Sequence, residues 1–210
     1  MNREAMIVGA VVASALSGQA LAIDVIGGQT SVLLDTGLLS SAAGLDLSGV
    51  SPGVGAGELG DGSVAFSINS RTFAPLPTTF TYTDGLATFG GTIEHLGSVF
   101  FNADAVEVGN FTIGFDQSRA DSGLSGFFVA STTGVAATLF DIVPTVDQAD
   151  AGGLVISGDL LVSAEFASFL GDDGLAGADV GDALVNAVVP TPATAGLALV
   201  GGAVCGRRRR

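Results

Sequence analysis

The stretch Asn110-Phe-Thr-Ile-Gly-Phe-Asp116 decides the fold class of this chain. Its large apolar residues Phe111, Ile113 and Phe115 alternate with small or polar ones. In an extended strand this spacing places all three on one face, which is typical of a strand with one buried side. Residues 63–69 repeat the same alternation. The sequence therefore predicts a β-sheet that covers an apolar core.

Outward from this stretch, turn residues recur at short intervals, and the segments between them are rich in Val, Ile, Phe and Thr. This pattern predicts an all-β, β-sandwich-like domain. The Asp84-Gly85 pair predicts a hairpin turn, and residues 124–130 and 135–142 predict a second hairpin. The predicted strands are 30–34, 45–50, 63–69, 79–83, 86–95, 98–102, 105–108, 110–116, 124–130, 135–142, 154–162 and 183–189.

Two short helices are expected within the sheet. The first covers residues 35–43, where Asp35 is the expected N-cap and Gly44 the expected end of the helix. The second covers residues 163–170, where Phe166 and Leu170 lie four apart and so share one side.

The N-terminus has the layout of a secretory signal peptide over residues 1–22. Arg3 supplies a positive charge, Ala5–Leu16 is an apolar core, and Ala20 and Ala22 form a small-x-small cleavage site. Cleavage after Ala22 would export the segment that follows.

The C-terminus reads as a membrane stop signal over residues 189–210. A hinge of Val189, Pro190, Thr191 and Pro192 precedes an uncharged apolar run, residues 193–206. As a helix this run spans roughly 21 Å, less than the roughly 30 Å of a hydrocarbon core, which predicts a weak, temporary anchor. Guanidinium groups resist crossing a bilayer, so the terminal arginines are expected to stay cytoplasmic. They are Arg207, Arg208, Arg209 and Arg210.

This tail resembles the PEP-CTERM sorting signals, in which a Pro-Glu-Pro-like motif precedes a short apolar helix and an arginine cluster. Pro190 and Pro192 match the two prolines of the motif, and Thr191 stands where the family usually has Glu. The resemblance implies export, cleavage near the motif by exosortase (a membrane-embedded, transpeptidase-like enzyme) and transfer to the cell surface. Simple tethering by an uncleaved tail is the alternative. The resulting organisation is a signal helix, a β-rich extracytoplasmic domain over residues 23–188 and an apolar C-terminal helix.

The charge of the body limits its partners. The chain has 21 acidic residues, 7 arginines and no lysine; outside the terminal segments this leaves 20 acidic residues against Arg71 and Arg119, a net charge of −18. Such a field disfavours nucleic acid and anionic membrane surfaces. The one cysteine, Cys205, lies in the apolar tail, so no disulfide is expected in the body.

Catalytic and haem-binding groups are scarce. His95 is the one histidine, and its position beside Glu94 predicts an exposed hairpin end. A Ser-His-Asp site would have no other base, and no nucleophile-elbow string occurs. Residues 91–95 and 139–142 are similar to strings of HtaA-like β-sandwich surface domains, a resemblance that implies haem. A haem ligand would then be His95 or Tyr82, the one tyrosine.

The remaining candidate site is the loop Gly171–Gly181 and the residue that follows it. Aspartates among flexible glycines offer the oxygen ligands that Ca²⁺ accepts, although the spacing fits no EF-hand. A solvated acidic loop is the alternative. The candidate calcium ligands are Asp172, Asp173, Asp179 and Asp182.

Together these patterns predict a non-enzymatic exported protein with a structural or adhesive β-rich body, sorted to the envelope or extracellular matrix. Its expected partners are exosortase, the export machinery and extracellular polysaccharide. A ligand-binding surface module for haem or saccharide is the alternative, and a hydrolase comes last.

Overall fold

The computed structural model describes residues 21–120 and 123–191. Within them, an eleven-stranded antiparallel sheet dominates the architecture and a three-stranded sheet accompanies it. The prediction of an all-β domain with few short helices is therefore confirmed. The expected terminal helices lie outside the described residues.

The strands are β1 (Ile23–Asp24), β2 (Gly27–Leu34), β3 (Leu47–Val50), β4 (Gly55–Ala56), β5 (Val64–Ser67), β6 (Thr81–Tyr82), β7 (Phe89–Gly90), β8 (Ile93–Glu94), β9 (Ser98–Phe101), β10 (Val106–Phe115), β11 (Phe127–Gly134), β12 (Ala137–Asp150), β13 (Gly153–Val162) and β14 (Asp179–Val188). The helices are α1 (Thr36–Ala43), α2 (Gln117–Ala120) and α3 (Ala164–Leu170), with 3₁₀ turns at Asp84–Leu86 and Asp173–Leu175.

The large sheet has the order β3-β9-β10-β11-β12-β13-β14-β2-β5-β4, and β8 also pairs with β10. It curls until its two sides meet. Ile68, directly after β5, forms an isolated bridge with His95, directly after β8. The Asn69 N–H donates to the Glu94 carbonyl over 2.7 Å, and the His95 N–H donates to the Phe111 carbonyl over 2.9 Å. The sheet therefore encloses the core with its own inner face.

The helices begin and end where local chemistry sets their limits. The Asp35 carboxylate accepts from the Leu38 N–H over 2.8 Å, and Gly44 closes α1 in the left-handed region. Ser163 caps α3 in the same way through the Phe166 N–H. Both predicted helices are confirmed within a residue at each end.

The hairpins follow the predicted pattern with shorter strands. β6 and β7 form the hairpin around Asp84-Gly85, but only two residues pair on each side. β11 and β12 form the second hairpin, in which β12 continues through Pro144 to Asp150. The pairing of β11 with β12 stops at Asp141, so Pro144 pairs with β13 alone. A proline lacks the N–H that a second neighbour would require, and a one-sided position tolerates it.

Candidate functional site

His95 lies at the closure of the sheet, and the expectation that it is exposed is wrong. Only 1% of its surface is accessible. The sequence shows His95 at the end of a strand, but it cannot show that residues 68–69 return to cover that end. Closure of the curled sheet buries the ring.

Both ring nitrogens of His95 have partners. Nδ1 lies 3.1 Å from the Phe111 carbonyl oxygen, and Nε2 lies 2.8 Å from the Thr30 hydroxyl. A carbonyl oxygen only accepts, so Nδ1 carries the proton and Nε2 accepts from the hydroxyl of Thr30. Burial lowers the pKa of His95 to about 4, partly opposed by the bond to Phe111. The imidazole is therefore neutral, with both nitrogens engaged, and is withdrawn from solvent chemistry.

A polar cluster continues outward from this histidine. Glu94, 7% exposed, accepts from the Thr112 hydroxyl over 2.6 Å, and its N–H donates to Thr78 over 3.1 Å. The sequence does not reveal the roles of Thr30, Thr78 and Thr112, because each lies far from His95 along the chain or on another strand. The adjacent Glu94-His95 pair, between the apolar residues Ile93 and Leu96, was the available signal, since buried polar groups require partners.

Beside His95, the inner face of the sheet encloses a cavity of about 60 Å³. Its walls come from strands all around the large sheet, from α1 and the segment after it, and from α3, and they are apolar apart from Thr30 and His95. Ligand pockets for drug-sized molecules are several-fold larger, about 300–1,000 Å³. A haem group or a saccharide ring does not fit this space without rearrangement of the core.

Tyr82, the other candidate haem ligand, is also buried and engaged. Its hydroxyl is 2.8 Å from the Asp150 carbonyl and 2.9 Å from the Gly153 carbonyl, to which it donates. Burial, with Asp150 and Asp84 nearby, raises the pKa of Tyr82 to about 12. The phenol therefore stays protonated and ties the small sheet to the β12–β13 turn. It is not among the residues that line the His95 cavity.

The four aspartates of the calcium hypothesis have separate local roles. Asp172 caps the second 3₁₀ turn by accepting from the Gly174 N–H, and Asp179 accepts from the Gly181 N–H as β14 begins. Asp182 lies within β14, opposite Asp159 of β13. Asp173 is exposed in the 3₁₀ turn. Within residues 21–120 and 123–191, no group of three or more His, Cys, Asp or Glu residues could hold a metal ion. Calcium binding at these positions stays a prediction.

The two arginines of the body both form ion pairs. The Arg119 guanidinium makes paired contacts with Asp141 (2.6 and 3.0 Å) and with Glu165 (2.6 and 3.1 Å). Arg71 lies 3.5 Å from Asp24 in a more exposed pair. The positive charge of the body is thus already neutralised locally, and its excess carboxylates remain.

The terminal sites are described only where they join the body. Ala22 is exposed, Val189 is 6% exposed, and Pro190 and Thr191 are exposed. Ala20, Pro192, the apolar run 193–206 and Arg207 to Arg210 lie outside the described residues. In the part of the chain that the structure describes, there is no helix with the length and apolarity to span a membrane.

No family model, curated protein or solved structure matches this chain.

Proposed function

We propose that this chain is an exported protein, sorted through its C-terminal segment to the cell envelope or extracellular matrix, where its β-rich body has a structural or adhesive role. Exosortase and the export machinery would be its processing partners, with transient anchoring in the inner membrane. Extracellular polysaccharide is the proposed partner of the body.

The observation that carries the proposal is the relation between the two ends of the body. β2, which begins at Gly27, pairs along its length with β14, which ends at Val188. The Ile26 N–H also donates to the Val188 carbonyl over 2.9 Å. Ile26 and Val188, near the two ends of the body, therefore lie side by side. Adjacent ends would allow one membrane to hold the body through either terminal segment.

The junctions suit enzymatic processing. Ala22 and Pro190 are exposed, while Val25 and Val189, a few residues inward, are buried. Cleavage at the two predicted sites would thus remove the terminal segments and leave the packed residues in place. The sheet would keep its first and last strands.

The charge of the body supports an extracytoplasmic role without nucleic acid. Both body cations are paired with carboxylates, so the exposed surface has a strongly negative field. Such a field keeps a protein soluble and repels polyanions. Neutral or cation-bound polysaccharide is compatible with it.

A hydrolase based on His95 and a haem module both need chemical groups that the fold makes inaccessible. A hydrolase that uses His95 as its base would need the ring at the surface, and a haem module would need a free nitrogen on it or a free Tyr82 hydroxyl. Each of these atoms is buried and hydrogen-bonded.

The test uses the full-length chain expressed in a Gram-negative host with and without an exosortase gene. With the enzyme, we expect a surface or secreted product that begins at Ile23 and lacks Arg207 to Arg210, measured by intact mass. The double variant Pro190→Ala/Pro192→Ala should stay in the inner membrane with its tail attached. Pro52→Ala, at an exposed loop proline, is the matched control and should be processed normally. Chain retained in the cytosol with both ends intact would contradict the proposal.

A further inference from the structure

The interior of the curled sheet is incompletely filled. Besides the cavity of about 60 Å³, a second cavity of about 30 Å³ lies on the inner face. Ile113 and Ala183 line both, so these two side chains stand between the two spaces. Protein interiors are close-packed and contain few voids larger than a water molecule. The larger cavity is therefore unusual for a packed protein interior.

The larger cavity offers water no partners. The only polar side chains in its wall are Thr30 and His95, and they bond to each other. The second nitrogen of His95 is engaged by Phe111. Among the described residues, no buried side-chain nitrogen or oxygen lacks a hydrogen-bond partner. A buried water needs two to four polar partners, and apolar cavities of this kind stay dry.

We propose that this cavity binds a small, uncharged, apolar molecule, of the class of a dissolved noble gas or a short hydrocarbon. A charged or polar ligand would lose its hydration and gain no hydrogen bond in return. An engineered apolar cavity of about 150 Å³ holds benzene, so one of about 60 Å³ takes a ligand of roughly three heavy atoms. At the known ceiling of binding energy per atom, its Kd is no tighter than about 0.5 mM.

This site is independent of the sorting proposal, because no residue of its wall lies in either terminal segment. Ala183 is the residue that controls its size. It is 6% exposed, lies on β14 opposite Val32 of β2, and borders both cavities. A larger side chain at this position would project into the space that the ligand occupies.

Xenon is the probe, added under pressure to the full-length protein in detergent while methyl NMR signals are followed. We expect saturable shifts at the methyl groups of Leu139 and Leu160, which line the cavity. Ala183→Val should reduce these shifts several-fold. Ala187→Val is the matched control, since Ala187 is equally buried on the same face of β14 but lines neither cavity. Its shifts should match those of the wild type.

Two results would overturn the inference. Absence of saturable shifts in the wild-type protein means that the cavity is closed to ligands, whatever the variants do. Equal shifts in wild type and in folded Ala183→Val mean that xenon binds elsewhere. Either result would leave the sorting proposal unaffected, because that test follows cleavage and location.

Discussion

At the scale of single residues, His95 shows how burial determines chemical state. The ring is enclosed by the sheet closure and held neutral between Phe111 and Thr30. In the unfolded chain the same imidazole titrates near its ordinary pKa of 6.5, whereas in the fold its pKa is about 4. Between these values the unfolded state binds more protons, so acid favours unfolding.

The free energy of unfolding should therefore fall as the pH is lowered from 7 to 5, by about 2 kcal/mol from His95 alone. The carboxylates with lowered pKa values, Asp116, Asp150 and Glu165, titrate below this window. Urea unfolding at pH 7, 6 and 5 measures the slope. His95→Gln keeps a hydrogen-bond donor for the Phe111 carbonyl. This variant should show a smaller dependence of the free energy of unfolding on pH, even if it is less stable than the wild type at every pH. A wild-type slope that survives in this variant would assign the effect to another group.

At the scale of secondary structure elements, the side chain of Arg119 links two helices and a strand that are distant in sequence. It lies on α2 and bonds to Asp141 on β12 and Glu165 on α3. The side chain of Asp141 is only 5% exposed, and the Arg119 guanidinium is its ion-pair partner. The bond from Arg119 lowers the pKa of Glu165, and the two carboxylates raise the pKa of Arg119 above its usual value. Arg119 thereby holds α2 against both β12 and α3.

Arg119→Gln should destabilise the fold by about 3 kcal/mol, because it leaves the buried carboxylate of Asp141 without its counter-charge. Arg71→Gln is the matched control, since the Arg71–Asp24 pair is longer and more exposed. It should cost less than about 1 kcal/mol. Denaturant midpoints of the two variants give the comparison. Equal losses of stability would show that the Arg119–Asp141 pair contributes no more than the exposed Arg71–Asp24 pair.

At the scale of the whole molecule, the first long strand and the last one are neighbours. β2 lies between β14 and β5 in the sheet, so the large sheet is complete only when residues from both ends have met. Gly28 marks this junction. Its φ is +118°, and an added Cβ would lie 2.3 Å from the Asn186 carbonyl oxygen of β14.

Gly28→Ala should therefore disrupt the β2–β14 pairing and cost about 3 kcal/mol or more, through strain and a backbone clash. Gly27→Ala is its control one residue away, where an added Cβ meets nothing within 4 Å. That change should stay within about 0.5 kcal/mol. Thermal unfolding of the two variants separates them, and a Gly28→Ala protein as stable as Gly27→Ala would show that the junction can shift to accommodate a side chain.

The sequence by itself determined the features that depend on neighbours along the chain. Alternation around Phe111 and Ile113 predicted the strand, Asp35 and Gly44 predicted both ends of α1, and the Asp84-Gly85 pair predicted its turn. The predictions for the two terminal segments also rest on patterns of residues that are contiguous in the sequence. Caps and turns are made by residues a few positions apart, so the sequence contains all the atoms that decide them.

Only the tertiary structure decided how the sheet closes, and with it the state of His95, the course of β12 through Pro144 and the cavity beside Thr30. Each of these depends on residues brought together from far along the chain. Thr30 and His95 are 65 positions apart, and no local pattern in the sequence reports that their side chains meet. Burial belongs to the assembled sheet, because the free energy of a buried group is set by whichever strands cover it.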